Sequence, residues 1–85
     1  MHTFQVACNL PYLMAEQMRE ALDSTWWGHH GCTFTIHTKT DFETLGPRTS
    51  AELHCRRDKT MTDVEVAEIK GWAAGFIAAR MQVNV

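Results

Sequence analysis

Apolar and polar residues alternate along the chain with two periods, and each change of period marks an element. From His2 to Cys8 the period is two, with Phe4, Val6 and Cys8 on one side and Thr3 and Gln5 on the other. Successive side chains of a strand point to opposite faces, so this predicts a half-buried strand with Cys8 inside. Asn9 is then expected to cap a helix, with Pro11 in its first turn, where a missing N–H does no harm. Leu10, Met14, Met18 and Leu22 recur every four residues, opposite Glu16, Arg19, Glu20 and Asp23. That stripe predicts an amphipathic helix over residues 10–25, with Gly28 as its stop signal.

The next segment returns to the period of two. Cys32, Phe34, Ile36 and Phe42 share one parity, and Thr33, Thr35, His37 and Lys39 share the other. Its β-branched content predicts a strand. Gly46-Pro47 reads as a turn, and from Ser50 to Arg56 the alternation resumes. Ala51, Leu53 and Cys55 are expected inside and Glu52, His54 and Arg56 outside, as the second strand of an antiparallel hairpin. Thr62-Asp63-Val64-Glu65 fits a capping box, with Met61 and Val66 placed for a hydrophobic staple. Val66, Ile69, Ala73, Phe76 and Ile77 then line one face of a helix. Residues 81–85 alternate and are expected as a short last strand. The order predicts an α+β chain, ferredoxin-like βαββα(β), with an antiparallel sheet, two helices packed on one face and the other face open to solvent.

Length and composition change this picture little. The 85 residues, 45% of them hydrophobic, make one domain spanning 1–85. A net charge of −2 is too small to draw nucleic acid by bulk field. No stretch approaches the roughly 20 apolar residues that cross a bilayer. The N-terminus lacks a basic region followed by an apolar run. With three cysteines, an odd number, a cytoplasmic chain with reduced thiols is expected.

Several groups are candidates for chemistry. Cys8, Cys32 and Cys55 all fall on inward parities and lack the C-x2-4-C spacing of structural zinc, so core packing is their expected role. His29, His30 and Cys32 are close enough in sequence to share a metal, with His37 or His54 as a fourth ligand; ordinary loop polarity is the favoured account of them, and no metal or cofactor is expected. Of the two adjacent tryptophans at 26 and 27 one is expected to be exposed, as an anchor for a partner. The open face would carry Gln5, Thr33, Thr35, His37, Lys39, Glu52, His54, Arg56 and Gln82. It lacks the stacking aromatics of an RNA-recognition sheet. His37 and His54 are expected as cross-strand neighbours.

Arg48, Arg56, Arg57 and Lys59 read as a basic corner able to meet phosphate or an acidic patch. Gly71-x-x-x-Gly75, followed by Ala78, lies off the core stripe of the last helix. It costs helix stability, and close approach of another helix, as in a homodimer seam, would offset that. Phosphate loops, a nucleophile elbow and an H-E-x-x-H pair are absent from the sequence.

The expected function is therefore non-enzymatic protein binding. The partner-binding residues would be Trp27, His29, His30, His54, Arg56, Arg57, Lys59, Gly71 and Gly75. In size, compactness and lack of catalytic motifs the chain resembles the small phage-encoded inhibitors, anti-CRISPR proteins among them. The resemblance is one of type, covers no motif and carries over no residue. It implies steric blocking of a host or defence complex. The alternatives are a nucleic-acid-associated module using the Arg48, Arg56, Arg57 and Lys59 corner, and a small metal- or thiol-dependent enzyme around His29, His30 and Cys32.

Overall fold

The computed structural model describes residues 1–43 and 46–82. Its elements are β1 (His2–Leu10), α1 (Tyr12–Asp23), a single turn α2 (Trp26–His29), β2 (Cys32–Glu43), β3 (Gly46–Arg57) and α3 (Asp63–Gln82). The chain is α+β. Among the described residues the sheet is open, antiparallel and three-stranded, in the order β1-β3-β2.

β3 is the central strand. It pairs with β2 without interruption from Cys32 opposite Arg57 to Glu43 opposite Gly46. β1 covers only the second half of β3, from Leu10 opposite Ala51 to His2 opposite Arg57. The inward parity of β2 and β3 is the expected one: Cys32, Phe34, Ala51, Leu53 and Cys55 are buried. α1 lies against β2 and β3 and α3 against β1. Ala15, Met18 and Leu22 of α1 and Ile69 and Ala73 of α3 join the sheet residues in one cluster. Met61, also buried, is pinned by its backbone N–H, which donates to His2 Nδ1 at 3.3 Å.

Three expectations about the first third of the chain need correction. Cys8 is exposed, because β1 slips register between Gln5 and Ala7 and again between Ala7 and Leu10. Each extra residue in one strand of a pair shifts the later side chains to the other face, so the first slip turns Cys8 outward and the second turns Leu10 back inward. Asn9 is not a helix cap. It sits at φ 55°, where asparagine is among the few tolerated side chains, and α1 starts after Pro11 with no side-chain cap. α1 ends at Asp23, before Gly28 is reached.

Gly28 belongs to α2 and meets a different demand. A Cβ there would fall onto the Asp23 carbonyl, so only glycine lets the turn fold back this closely on the end of α1. Thr25 joins the two pieces, its Oγ1 donating to the Leu22 carbonyl at 2.5 Å.

The later elements follow the sequence more closely. Gly46 and Pro47 open β3 rather than forming the turn itself, with Gly46 at φ 113°. The capping box is formed: Glu65 N–H donates to Thr62 Oγ1 at 3.2 Å and Thr62 N–H to Glu65 Oε1 at 3.3 Å. α3 continues through Met81 and Gln82, where a strand was expected. The Ala-rich run ahead of them favours helix and contains no breaker. Gln82 therefore does not belong to the sheet, and the rest of that expected strand, residues 83–85, lies outside the described residues. No described helix is long and apolar enough to cross a membrane.

Candidate functional site

The outer face of the sheet is polar, as its parity requires. Gln5, Thr33, Thr35, His37, Lys39 and Arg56 are exposed, and Glu52 and His54 are half-buried. Thr35 stands opposite His54, and His37 opposite Glu52. That diagonal brings the His37 and His54 rings to 4.4 Å between centroids. His54 Nε2 lies 3.1 Å from Glu52 Oε2, and His37 Nε2 lies 3.4 Å from Thr35 Oγ1. Together they form a small hydrogen-bonded cluster in the middle of an otherwise solvated face.

The basic corner does not assemble. Arg57 has inward parity and is mostly buried; its Nη1 donates to Glu65 Oε2 at 2.7 Å, and its Nε is buried without a hydrogen-bond partner among the described residues. The Thr62 backbone N–H, and then the Arg57 guanidinium, hold the Glu65 carboxyl below the usual glutamate range. Arg57 thus braces the start of α3. Arg56 points the other way, 4.0 Å from Asp58. Arg48 lies eight residues before Arg56 on β3, on the order of 26 Å at strand rise. Lys59 is exposed and shares a 380 Å³ depression with His30, Gly31, Arg57 and Asp58, in which Arg57 is paired with Glu65.

The metal candidates also separate. Cys32 is buried, whereas His29 and His30 are exposed, and among the described residues no three potential ligands converge. Cys55 touches Cys32. Burial, and then that neighbour, push the Cys55 thiol up to about 12. A thiol held protonated is a packing group rather than a nucleophile.

One loop tryptophan is exposed and one packed, but the roles are the reverse of those expected: Trp27, expected to meet a partner, is the packed ring. Trp27 packs against the core cluster, and Trp26 is 57% exposed. Trp26 stacks on His30 at 4.0 Å and 13°, and His30 Nδ1 lies 2.6 Å from the Trp26 carbonyl oxygen. The stacked pair forms an exposed knob between α1 and β2.

Gly71 and Gly75 lie on the exposed side of α3, and a Cβ at either would meet nothing within 4 Å. Nothing among the described residues requires glycine at these positions. Replacing a helix glycine by alanine recovers about 0.5–1 kcal/mol. The double variant Gly71→Ala/Gly75→Ala should therefore melt roughly 5–15 °C higher in dilute solution. A lower melting temperature would show that this face is packed against a partner.

The largest exposed apolar group, Phe42, lies where the parity of β2 predicted a core position. β2 and β3 are each twelve residues long, but β1 stops at Ala51. Beyond that point β2 and β3 run on as a two-stranded ribbon, with Thr38, Lys39, Thr40, Asp41 and Phe42 all exposed. Phe42 stands opposite Pro47 near the ribbon's end and is 85% exposed. The available signal was strand length, since both runs exceed the usual five or six residues.

Comparison with protein-family models, with curated proteins and with solved structures finds no match to this chain.

Proposed function

We propose that the chain is a non-enzymatic protein-binding domain, acting by steric occupation of a partner's surface through the β2–β3 ribbon, with the Trp26–His30 knob beside the start of β2 as a separate second contact. The observation that carries this reading is Phe42. A large aromatic on the inward parity is 85% exposed, and β1 pairs with β3 no further than Ala51, short of it. A two-stranded hairpin is marginal by itself in water, and a partner that buried Phe42 would stabilise the ribbon and gain an anchor at low entropy cost. Steric blocking of a host or defence complex, as small phage-encoded inhibitors perform, is one form of this activity. Size and the absence of catalytic motifs support that form.

The ferredoxin-like arrangement accompanies this reading. The order β1-β3-β2, with α1 leading from β1 to β2 and α3 following β3, supports it, and a fourth strand beside β1 would complete it.

The test is affinity capture from an extract of the source cell with the wild-type chain and Phe42→Ala in parallel. Removing an exposed side chain should leave the circular dichroism and melting temperature unchanged and abolish capture of the specific partner. Equal capture by both chains would defeat the proposal.

A further inference from the structure

The two edges of the sheet are treated differently. β1 carries two register slips and a positive-φ asparagine, features that twist an edge strand away from intermolecular pairing. β2, the other edge, runs twelve residues in unbroken register. It holds neither proline nor bulge, and Lys39 is its only lysine. A long regular edge with unpaired N–H and C=O groups is a template for another strand.

We propose that this edge pairs with the same edge of a second copy, forming a symmetric dimer through residues 37–43. The proposal rests on the protein-binding reading above and names one partner for the ribbon. Two-fold pairing of antiparallel edges places the axis normal to the sheet, so residues facing each other must share a parity. Centring the pair on Lys39 or on Asp41 sets like charges face to face. Centring it on Thr38 sets Lys39 against His37, with no carboxylate opposite. Centring it on Thr40 sets Lys39 of each copy opposite Asp41 of the other, and Thr38 opposite Phe42.

That register is self-complementary twice over: two opposite-charge pairs on the polar face and two aromatic–β-branched pairs on the other, both stabilising types of cross-strand neighbour. Lys39 and Asp41 already approach to 4.0 Å on one face within the chain, and both are exposed enough to turn toward a neighbour. The dimer would be a continuous sheet whose central ribbon is four strands wide. The area in the pairing is small, which places it among weak, reversible associations.

Sedimentation equilibrium of the wild-type chain, from micromolar to millimolar concentration, tests this directly. Reductant is needed, because exposed Cys8 would otherwise crosslink copies. The expected result is a concentration-dependent dimer that Lys39→Asp weakens by about tenfold or more, since two carboxylates then face each other twice. Asp41→Lys should weaken it to a similar degree, and the double swap Lys39→Asp/Asp41→Lys should restore it. Circular dichroism of all three variants should match the wild type. A chain that stays monomeric throughout, a dimer indifferent to the single reversals, or a double swap as weak as the singles would each overturn the proposal. If the chain is monomeric and Phe42→Ala still loses a captured protein, the second copy is refuted while the protein-binding reading stands.

Discussion

Leu53→Ala should lower the stability of the fold by about 3 kcal/mol, the middle of the range for truncating a buried leucine. Leu53 is fully buried on the central strand, opposite Ile36 on one side and Ala7 on the other. Neighbouring strands hold the backbone on both sides, so the site cannot collapse to fill the space. The lost methyl groups therefore leave a cavity rather than a relaxed surface. A domain of this size has about 5–15 kcal/mol in total, so the loss should bring the melting temperature down by more than 10 °C. Urea titration with an unchanged slope and a shifted midpoint is the measurement. A change below about 1 kcal/mol would mean that the sheet is not sealed at its centre. The partner-binding surfaces inferred from the opposite parity, His54 and Arg56 among them, would then lose their basis.

That dependence explains why so much of the fold was legible. Parity assigns a side chain to a face, and in β2 and β3 it did so correctly for Phe34, Leu53, Cys55, His37 and Arg56. The capping box at Thr62 and Glu65 is a local device and needs no tertiary knowledge. Cys8 failed because its face depends on a slip in pairing with β3, which is a property of two strands and not of one. Asn9 failed for a related reason. Its positive φ serves the bend between β1 and α1, and the same residue type is equally suited to a helix cap.

The candidate site was less legible than the fold. Phe42 was correctly placed on the inward parity, yet parity gives the side of a sheet and not what covers it. Whether a helix reaches that far depends on the lengths of α1 and β1 relative to the hairpin. Arg57 was counted among outward cations because sequence adjacency to Arg56 suggested a cluster. On a strand, adjacent residues lie on opposite faces, and Arg57 is spent on Glu65. Trp26 and Trp27 were divided into one exposed and one packed ring, but Trp27 was assigned to the partner where Trp26 is the exposed ring. The assignment follows from how α2 folds back on α1 at Gly28.

The same substitution should therefore have opposite signs in two helices. Alanine at Gly71 stabilises, because its Cβ enters open space. Alanine at Gly28 should destabilise by about 1–3 kcal/mol, since its Cβ would overlap the main chain of Asp23, and backbone has no rotamer with which to yield. The strain can be relieved only by moving α2 off the end of α1. That movement withdraws Trp27 from the core cluster and breaks the orientation of the Trp26–His30 stack. Gly28→Ala should thus lower the melting temperature and shift the tryptophan emission to longer wavelength, as Trp27 meets water. Trp72, on α3 beside Phe76, should not respond, so a Trp72→Phe background isolates the signal from α2. If Gly28→Ala melts at the wild-type temperature with unchanged emission, α2 does not pack against Asp23. The Trp26 knob would then have no rigid support, and Phe42 alone would remain as an anchor.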